Sequence, residues 1–219
     1  MHPLIENNRE AIARLCRLHG VRSLEAFGSI LRDDFDAGRS DVDVLVEFET
    51  RAADSFSNFL DLKESLEALF QRSVDLVELR AIRNRRLRYY IEQSNHRSMP
   101  QRDPGVYLED IEHYAAAAVR FTSGFSLEQY LADEKTRAAV ERVLEVCGEA
   151  MSNLYRVAPT VAETIPHARD IIGFRNILAH GYAELDHNKV YNIAIANAPQ
   201  LLLAVREALK AFPDPPSPL

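Results

Sequence analysis

Gly28-Ser29, Asp41, Asp43 and Asp75 are the residue types, in the order, that phosphate chemistry with a divalent cation requires. Asp41 and Asp43 are two apart at the start of a run, Val42 to Phe48, that reads as a strand. Their side chains are expected on one face, about 7 Å apart along the chain. Two carboxylates so placed repel each other unless a cation lies between them. Asp75 sits inside Val74-Asp75-Leu76-Val77, where burying an unpaired carboxylate is costly. A hard cation relieves both problems, and Mg²⁺ takes oxygen ligands while completing its shell with water and substrate phosphates. Gly28 lets backbone approach a phosphate, and the Ser29 hydroxyl and nearby amides can donate to it. Arg32 can add a charge-assisted contact, and Ser40 joins the predicted nucleotide-contacting group. The chemistry implied is nucleotidyl transfer, with Asp41, Asp43 and Asp75 as metal ligands and Asp75 also helping to deprotonate the attacking hydroxyl.

The second chemically informative stretch is Arg175-Asn176-Ile177-Leu178-Ala179-His180-Gly181-Tyr182. Residues five apart in a continuous helix point about 140° from each other, so Arg175 and His180 share no face unless the helix ends. Gly181 offers that end as a left-handed cap. His180 is then expected to turn towards Arg175 or to meet a second chain. A histidine can exchange a proton near neutral pH and an arginine can hold a scissile phosphate. The pair suits metal-independent RNA cleavage through the 2′-hydroxyl. Glu149 is a further polar candidate, although a solvated or bundle-internal glutamate is the simpler account of it.

The elements that must position these residues can be traced in the pattern. Apolar residues from Leu4 to Leu18 recur at helical intervals and stop at Gly20. Strands are expected at Val21 to Phe27, Val42 to Phe48 and Ser73 to Leu79, with a helix through Leu60 to Phe70 between the last two. After Ser94 the chain turns polar. Asp103-Pro104 then starts a helix that closes near Thr122. A short turn follows Ser126, and Asp133 caps a long helix to about Tyr155. Further helices are expected from His167 to about Ala179 and from Asp186 to about Ala211. The fold class is therefore an α+β domain with a mixed sheet, then an all-α up-and-down bundle. The expected divisions are residues 1–95, a linker 96–102, a bundle 103–212 and an unstructured tail 213–219.

Composition sets bounds on function. Hydrophobic residues make up 47% of the 219 and charged residues 27%, ordinary for a globular chain and too apolar for disorder. A formal charge of −7 argues against a protein that coats nucleic acid electrostatically, because that requires many cations. It leaves room for a local basic site, for which Arg80, Arg83, Arg85, Arg86 and Arg88 are the candidate; the alternative is a solvated helix face. Cys16 and Cys147 are expected to be buried free thiols in a reducing compartment. No apolar run suits a signal peptide or a membrane span, so the expected location is the cytoplasm.

The stretch GSILRDDFDAGRSDVDVLVEF, followed by SVDLVEL, resembles the minimal nucleotidyltransferases of the polymerase-β superfamily over about residues 5–95. Ile30 to Ser40 makes the interval from Gly-Ser to the first aspartate one residue longer than is usual in that family. Arg175-Asn176-x-x-x-His180-x-Tyr182, with RDPGVYLEDI, LADEKTRAAVERVLEVCGEA and HNKVYNIAIANAPQLL, resembles HEPN-family ribonuclease toxins over about residues 102–212. The resemblance implies that Arg175 and His180 from two protomers form a ribonuclease site with Asn176 in support. It also implies that the nucleotidyltransferase uses ATP and Mg²⁺ to place AMP on Tyr182, blocking that site. The expected partners are a second copy of the chain, as a homodimer or higher homo-oligomer, and RNA, with transfer RNA the family's guide; no membrane or DNA is expected. Two other readings stand beside this fused toxin–antitoxin. One is a non-catalytic nucleotide-sensing and dimerisation module, the other a nucleotidyltransferase that modifies a small molecule.

Overall fold

A computed structural model describes residues 2–31, 40–49, 56–93, 103–180 and 185–213, without the side chains of Ser29, Leu31, Glu92, Gln93 and His180. The chain divides into two compact units, Met1–Gln101 and Arg102–Leu219. The expected linker at 96–102 and nearly all of the expected tail lie outside the described residues.

In the first unit, β1 (Val21–Phe27), β2 (Val42–Phe48) and β3 (Val74–Glu78) form a sheet of order β1-β2-β3. β1 pairs antiparallel and β3 parallel with the central β2. A parallel pair needs a crossover, and α3 (Phe56–Phe70) lies between β2 and β3 in the chain. Strand alternation separates the two faces of β2. Val42, Val44, Val46 and Phe48 share one buried cluster with Leu62, Leu66 and Phe70 of α3 and with Val74 and Leu76 of β3. Leu45, on the alternate face, packs with Ile82 and Ile91 and with the partly buried Phe27, Val77, Leu79 and Leu87. Each large apolar side chain so buried contributes about 1.5–3 kcal/mol. Leu87 and Ile91 belong to α4 (Arg85–Gln93), which follows a 3₁₀ turn at Leu79–Ala81. The arginine run thus folds as a turn and a helix.

The expected single helix at the N-terminus is two, α1 (Pro3–Glu6) and α2 (Arg9–Leu18). The break has a local cause: Asn8 Nδ2 donates to the Leu4 carbonyl at 2.9 Å and the Asn7 amide caps α1. Asparagine competes for backbone groups in this way and so interrupts helices.

The second unit contains helices and no strand among its described residues. These are α5 (Pro104–Thr122), α6 (Leu127–Ala132), α7 (Glu134–Val157), α8 (Pro159–Ala162), α9 (Ala168–His180), α10 (His187–Asn192) and α11 (Ala198–Leu209), with a π-helical turn at Ile193–Asn197. The starts follow the side-chain chemistry. Asp103 accepts from the Gly105 amide at 2.8 Å before Pro104, Ser126 and Gln129 form a reciprocal capping box, and Asp133 accepts from Lys135 and Thr136. On α7, Val140, Leu144, Cys147, Met151 and Leu154 alternate at intervals of four and three, and all are buried. Cys147, Met151 and Leu154 meet Leu108 and Ile111 of α5 and Val205 of α11 in the main core.

The last expected helix, Asp186 to Ala211, is interrupted by the π turn. Pro199 has no amide hydrogen with which to continue the ladder, and a widened turn before it absorbs the missing bond. Cys147 is buried as expected, whereas Cys16 is only half-buried; both thiols are free. No helix among the described residues is long and apolar enough to cross a membrane.

Candidate functional site

In the first unit the decisive placement is the register of β2. Phe27 pairs with Asp43 across the antiparallel ladder, and Asp43 pairs with Asp75 across the parallel one. Both aspartates therefore belong to adjacent positions of neighbouring strands, Asp43 half-buried and Asp75 exposed. Gly28, one residue beyond Phe27, is buried with φ at +75°. A Cβ on Gly28 would lie 2.1 Å from Asp43 Oδ2 and 3.0 Å from its Cγ. Glycine is needed here twice, for the left-handed backbone and for the carboxylate against its α-carbon.

Gly28 opens a short 3₁₀ turn, Gly28–Leu31, whose Ile30 is buried in the sheet core. Asp41 lies one residue before β2, exposed rather than within the strand. Arg72 donates to the Ser40 carbonyl at 3.3 Å and the Val42 amide donates to the Ser73 carbonyl at 3.0 Å, which tie the start of β2 to the start of β3. Arg72 was not anticipated as a support for this site; its link to Ser40 depends on the parallel pairing of β2 and β3.

Gly28, Asp43 and Asp75 are thus brought together, with Asp41 and Ser40 at the adjoining strand end. The Ser29 side chain and Arg32 lie outside the described residues. No group of three or more His, Cys, Asp and Glu side chains among the described residues is arranged to hold a metal ion. The donor set still fits Mg²⁺, which is commonly held by one or two carboxylates and completed by substrate phosphates and water. Asp43 and Asp75 supply such a pair, and the Asp43 carboxylate packs against the Gly28 α-carbon.

In the second unit, Arg175 lies on α9, which ends at His180. Arg175 is placed by a close helix crossing. A Cβ on Gly148 of α7 would lie 2.4 Å from Arg175 Cβ and 3.1 Å from the Ile171 carbonyl. The Arg175 guanidinium pairs with Glu149 at 2.5 Å and donates to Asn176 Oδ1 at 3.0 Å. The Arg175 side chain is 33% exposed and that of Glu149 47%, so the pair stabilises the fold by at most about 1 kcal/mol. Its consequence is orientation and charge: the Glu149 carboxylate engages the guanidinium, and any anion arriving there must compete with it. The His180 side chain, Gly181 and Tyr182 lie outside the described residues. Gly148 was missed in the sequence, although an isolated glycine inside a strong helical pattern is itself a signal of close packing.

Family comparisons agree with this division. The model described as "Nucleotidyltransferase domain" matches residues 9–99 and that described as "Ribonuclease HepT-like" matches residues 111–208. A Methanocaldococcus jannaschii protein provisionally named an RNase is 30% identical over 112 residues, covering 51% of this chain and 92% of the relative. Another from that organism, provisionally named a protein adenylyltransferase, is 37% identical over 73 residues, covering 33% of this chain and 72% of the relative.

The chain belongs to both families.

It is therefore an enzyme joining a nucleotidyltransferase domain to a HepT-like ribonuclease domain, as the two motif sets imply. The protein adenylyltransferase MntA of Thermococcus cleftensis is 47% identical to the nucleotidyltransferase unit over 58 residues, which cover 26% of this chain and 56% of the relative. No solved structure matches the chain significantly.

Proposed function

We propose that the chain is a fused toxin–antitoxin enzyme, in which the nucleotidyltransferase unit transfers AMP from ATP to Tyr182 and so silences the HepT-like ribonuclease. The observation that carries the reading is the Gly28, Asp43 and Asp75 arrangement, a left-handed glycine packed against one of two register-paired carboxylates. In the transfer, the Tyr182 oxygen attacks the α-phosphorus of ATP and the bond to pyrophosphate breaks. Asp75, exposed on β3, takes the phenolic proton. Gly28 and Ser29 would present backbone and hydroxyl donors to the triphosphate, and Arg32 and Ser40 would add further contacts to it. Mg²⁺ held by Asp43 and Asp75, with Asp41 at the adjoining strand end, would neutralise phosphate charge.

In the ribonuclease unit, His180 takes the proton of a 2′-hydroxyl, whose oxygen then attacks the adjacent phosphorus and displaces the 5′-oxygen. Arg175 stabilises the charge that gathers on the phosphate oxygens, and Asn176 orients the guanidinium through the bond they share. A bulky anion on Tyr182, two residues from His180, competes with substrate for Arg175. The ribonuclease site draws on a second copy of the chain, and the acceptor tyrosine is in the same chain or in that copy. The names of the relatives and the spacing from Arg175 to Tyr182 support this assignment.

Cleavage of RNA before and after incubation with ATP and Mg²⁺ tests the reading. The wild-type chain is expected to lose most of its cleavage after incubation, whereas Asp43→Asn keeps it, and His180→Ala cleaves about 10²–10⁴-fold more slowly throughout. Undiminished cleavage after incubation, or equal loss in Asp43→Asn, would contradict it.

A further inference from the structure

From Leu79 to Ile91 the chain carries five arginines and no carboxylate, between Glu78 and Glu92. Arg86 is buried, at 2% exposure, on the side of α4 turned from solvent. Arg80, Arg83, Arg85 and Arg88 are exposed. Arg85 and Arg88 are three apart on α4 and so share one side of it, while Arg80 comes from the preceding 3₁₀ turn and Arg83 from the stretch between. The apolar residues Ile82, Leu87 and Ile91 anchor this segment against Leu45 of β2, so the cations stand on a seated element. Beside them, Tyr89 and Tyr90 are half-buried, with ring centroids 5.6 Å apart and planes at 67°.

The ribonuclease unit has the opposite character. Residues 102–219 contain eleven Lys and Arg against sixteen Asp and Glu. Several of those cations are engaged within the unit: Arg142 with Glu145, Arg169 with Glu163, Arg175 with Glu149, Arg206 with Glu112 and Lys210 with Glu207. A net negative field opposes the approach of a polyanion, and non-specific affinity for RNA comes from cations that displace its counterions. The unit that would cut RNA is therefore poorly charged to attract it, and the densest cationic surface among the described residues is on the other unit.

We propose that Arg80, Arg83 and Arg85 form a docking surface for the sugar–phosphate backbone of single-stranded RNA, with Tyr89 beside them for base stacking. The inference rests on the ribonuclease reading for the identity of the polyanion. Arginine suits the role because its planar fork matches phosphate oxygens in a bidentate contact. The other phosphate-bearing candidate is the nucleotide triphosphate, and the test separates the two.

Binding of a fluorescently labelled single-stranded RNA is measured by anisotropy across a salt series, using the full chain in a His180→Ala background so that the RNA stays intact. The variant is Arg80→Gln/Arg83→Gln/Arg85→Gln, and the control is Arg142→Gln/Arg206→Gln/Lys210→Gln in the other unit. The arginine triple is expected to bind at least about tenfold more weakly at moderate salt, with a log–log salt slope shallower by about 2, near 0.7 for each phosphate no longer neutralised. The control should leave the slope unchanged, and both variants should melt at the parental temperature because the substituted residues are exposed. AMP transfer by the arginine triple should equal that of the parent. An unchanged slope, an equal weakening in the control, absence of RNA binding in the parent, or a defect confined to AMP transfer would each overturn the proposal. Arginine-dependent binding by a chain that cleaves no RNA with His180 intact would uphold the docking surface while removing the ribonuclease reading.

Discussion

Gly28 carries more of the nucleotidyltransferase site than its size suggests, because its α-carbon shares space with the Asp43 carboxylate. Replacing it with alanine forces a left-handed backbone on a Cβ-bearing residue and drives that Cβ to 2.1 Å from Asp43 Oδ2. Gly28→Ala is expected to cost about 1–3 kcal/mol in stability and to reduce AMP transfer at least tenfold, read by thermal melting together with an ATP-dependent modification assay. A variant that melts lower but transfers AMP at the parental rate would separate Gly28 from the site. The pairing of Gly28 with Asp43 and Asp75 was legible because strands repeat every two residues: once Val42 to Phe48 and Val74 to Glu78 read as strands, the faces of their aspartates follow. Glu149 was legible as a polar candidate that the structure pairs with Arg175, whereas Gly148 was not legible, since its role depends on which face of α7 meets α9. Helical periodicity marks an apolar side but does not name the helix that covers it.

At the scale of elements, the caps and the heptad-like spacing on α7 set most of the helix boundaries in the second unit. Asp133 illustrates the strength of such a cap. Hydrogen bonds from the Thr136 hydroxyl and amide, and from the Lys135 amide, hold its carboxyl below the ordinary value of 3.8. A carboxyl lowered on folding stabilises the fold above its unfolded-state pKa, and that contribution is lost as pH falls through the folded-state value. The amide side chain of an Asp133→Asn variant would still cap the helix but would not titrate. The stability gap between wild type and variant, from urea unfolding followed by helical circular dichroism, is therefore expected to narrow as pH falls below about 4. A gap that stays constant from neutral pH to about pH 3 would show that the ionised cap contributes nothing. Breaks were harder to read than starts. The first helix is split by the Asn8 side chain bonding the Leu4 carbonyl and the Asn7 backbone amide capping α1, and Pro199 widens a turn that the apolar period alone runs through.

At the scale of the whole molecule, one chain carries both families, so every nucleotidyltransferase unit is made with a ribonuclease unit at fixed stoichiometry. Both units carry an acidic balance, fifteen Lys and Arg against seventeen Asp and Glu in residues 1–101 and eleven against sixteen in residues 102–219, and the arginine-rich turn and helix form a local cationic exception on the first. The division into two units was legible from the change in periodicity after Ser94, where strands give way to helices. The proposed link between them rests on the motif from Arg175 to Tyr182, because packing within either unit does not report a transfer between units. The most direct test is the intact mass of the full chain after incubation with ATP and Mg²⁺, beside Tyr182→Phe and Asp43→Asn. A single added AMP on the wild-type chain, absent from both variants, is the predicted result. An unchanged mass in the wild type, or an adduct that persists in Tyr182→Phe, would contradict transfer to Tyr182.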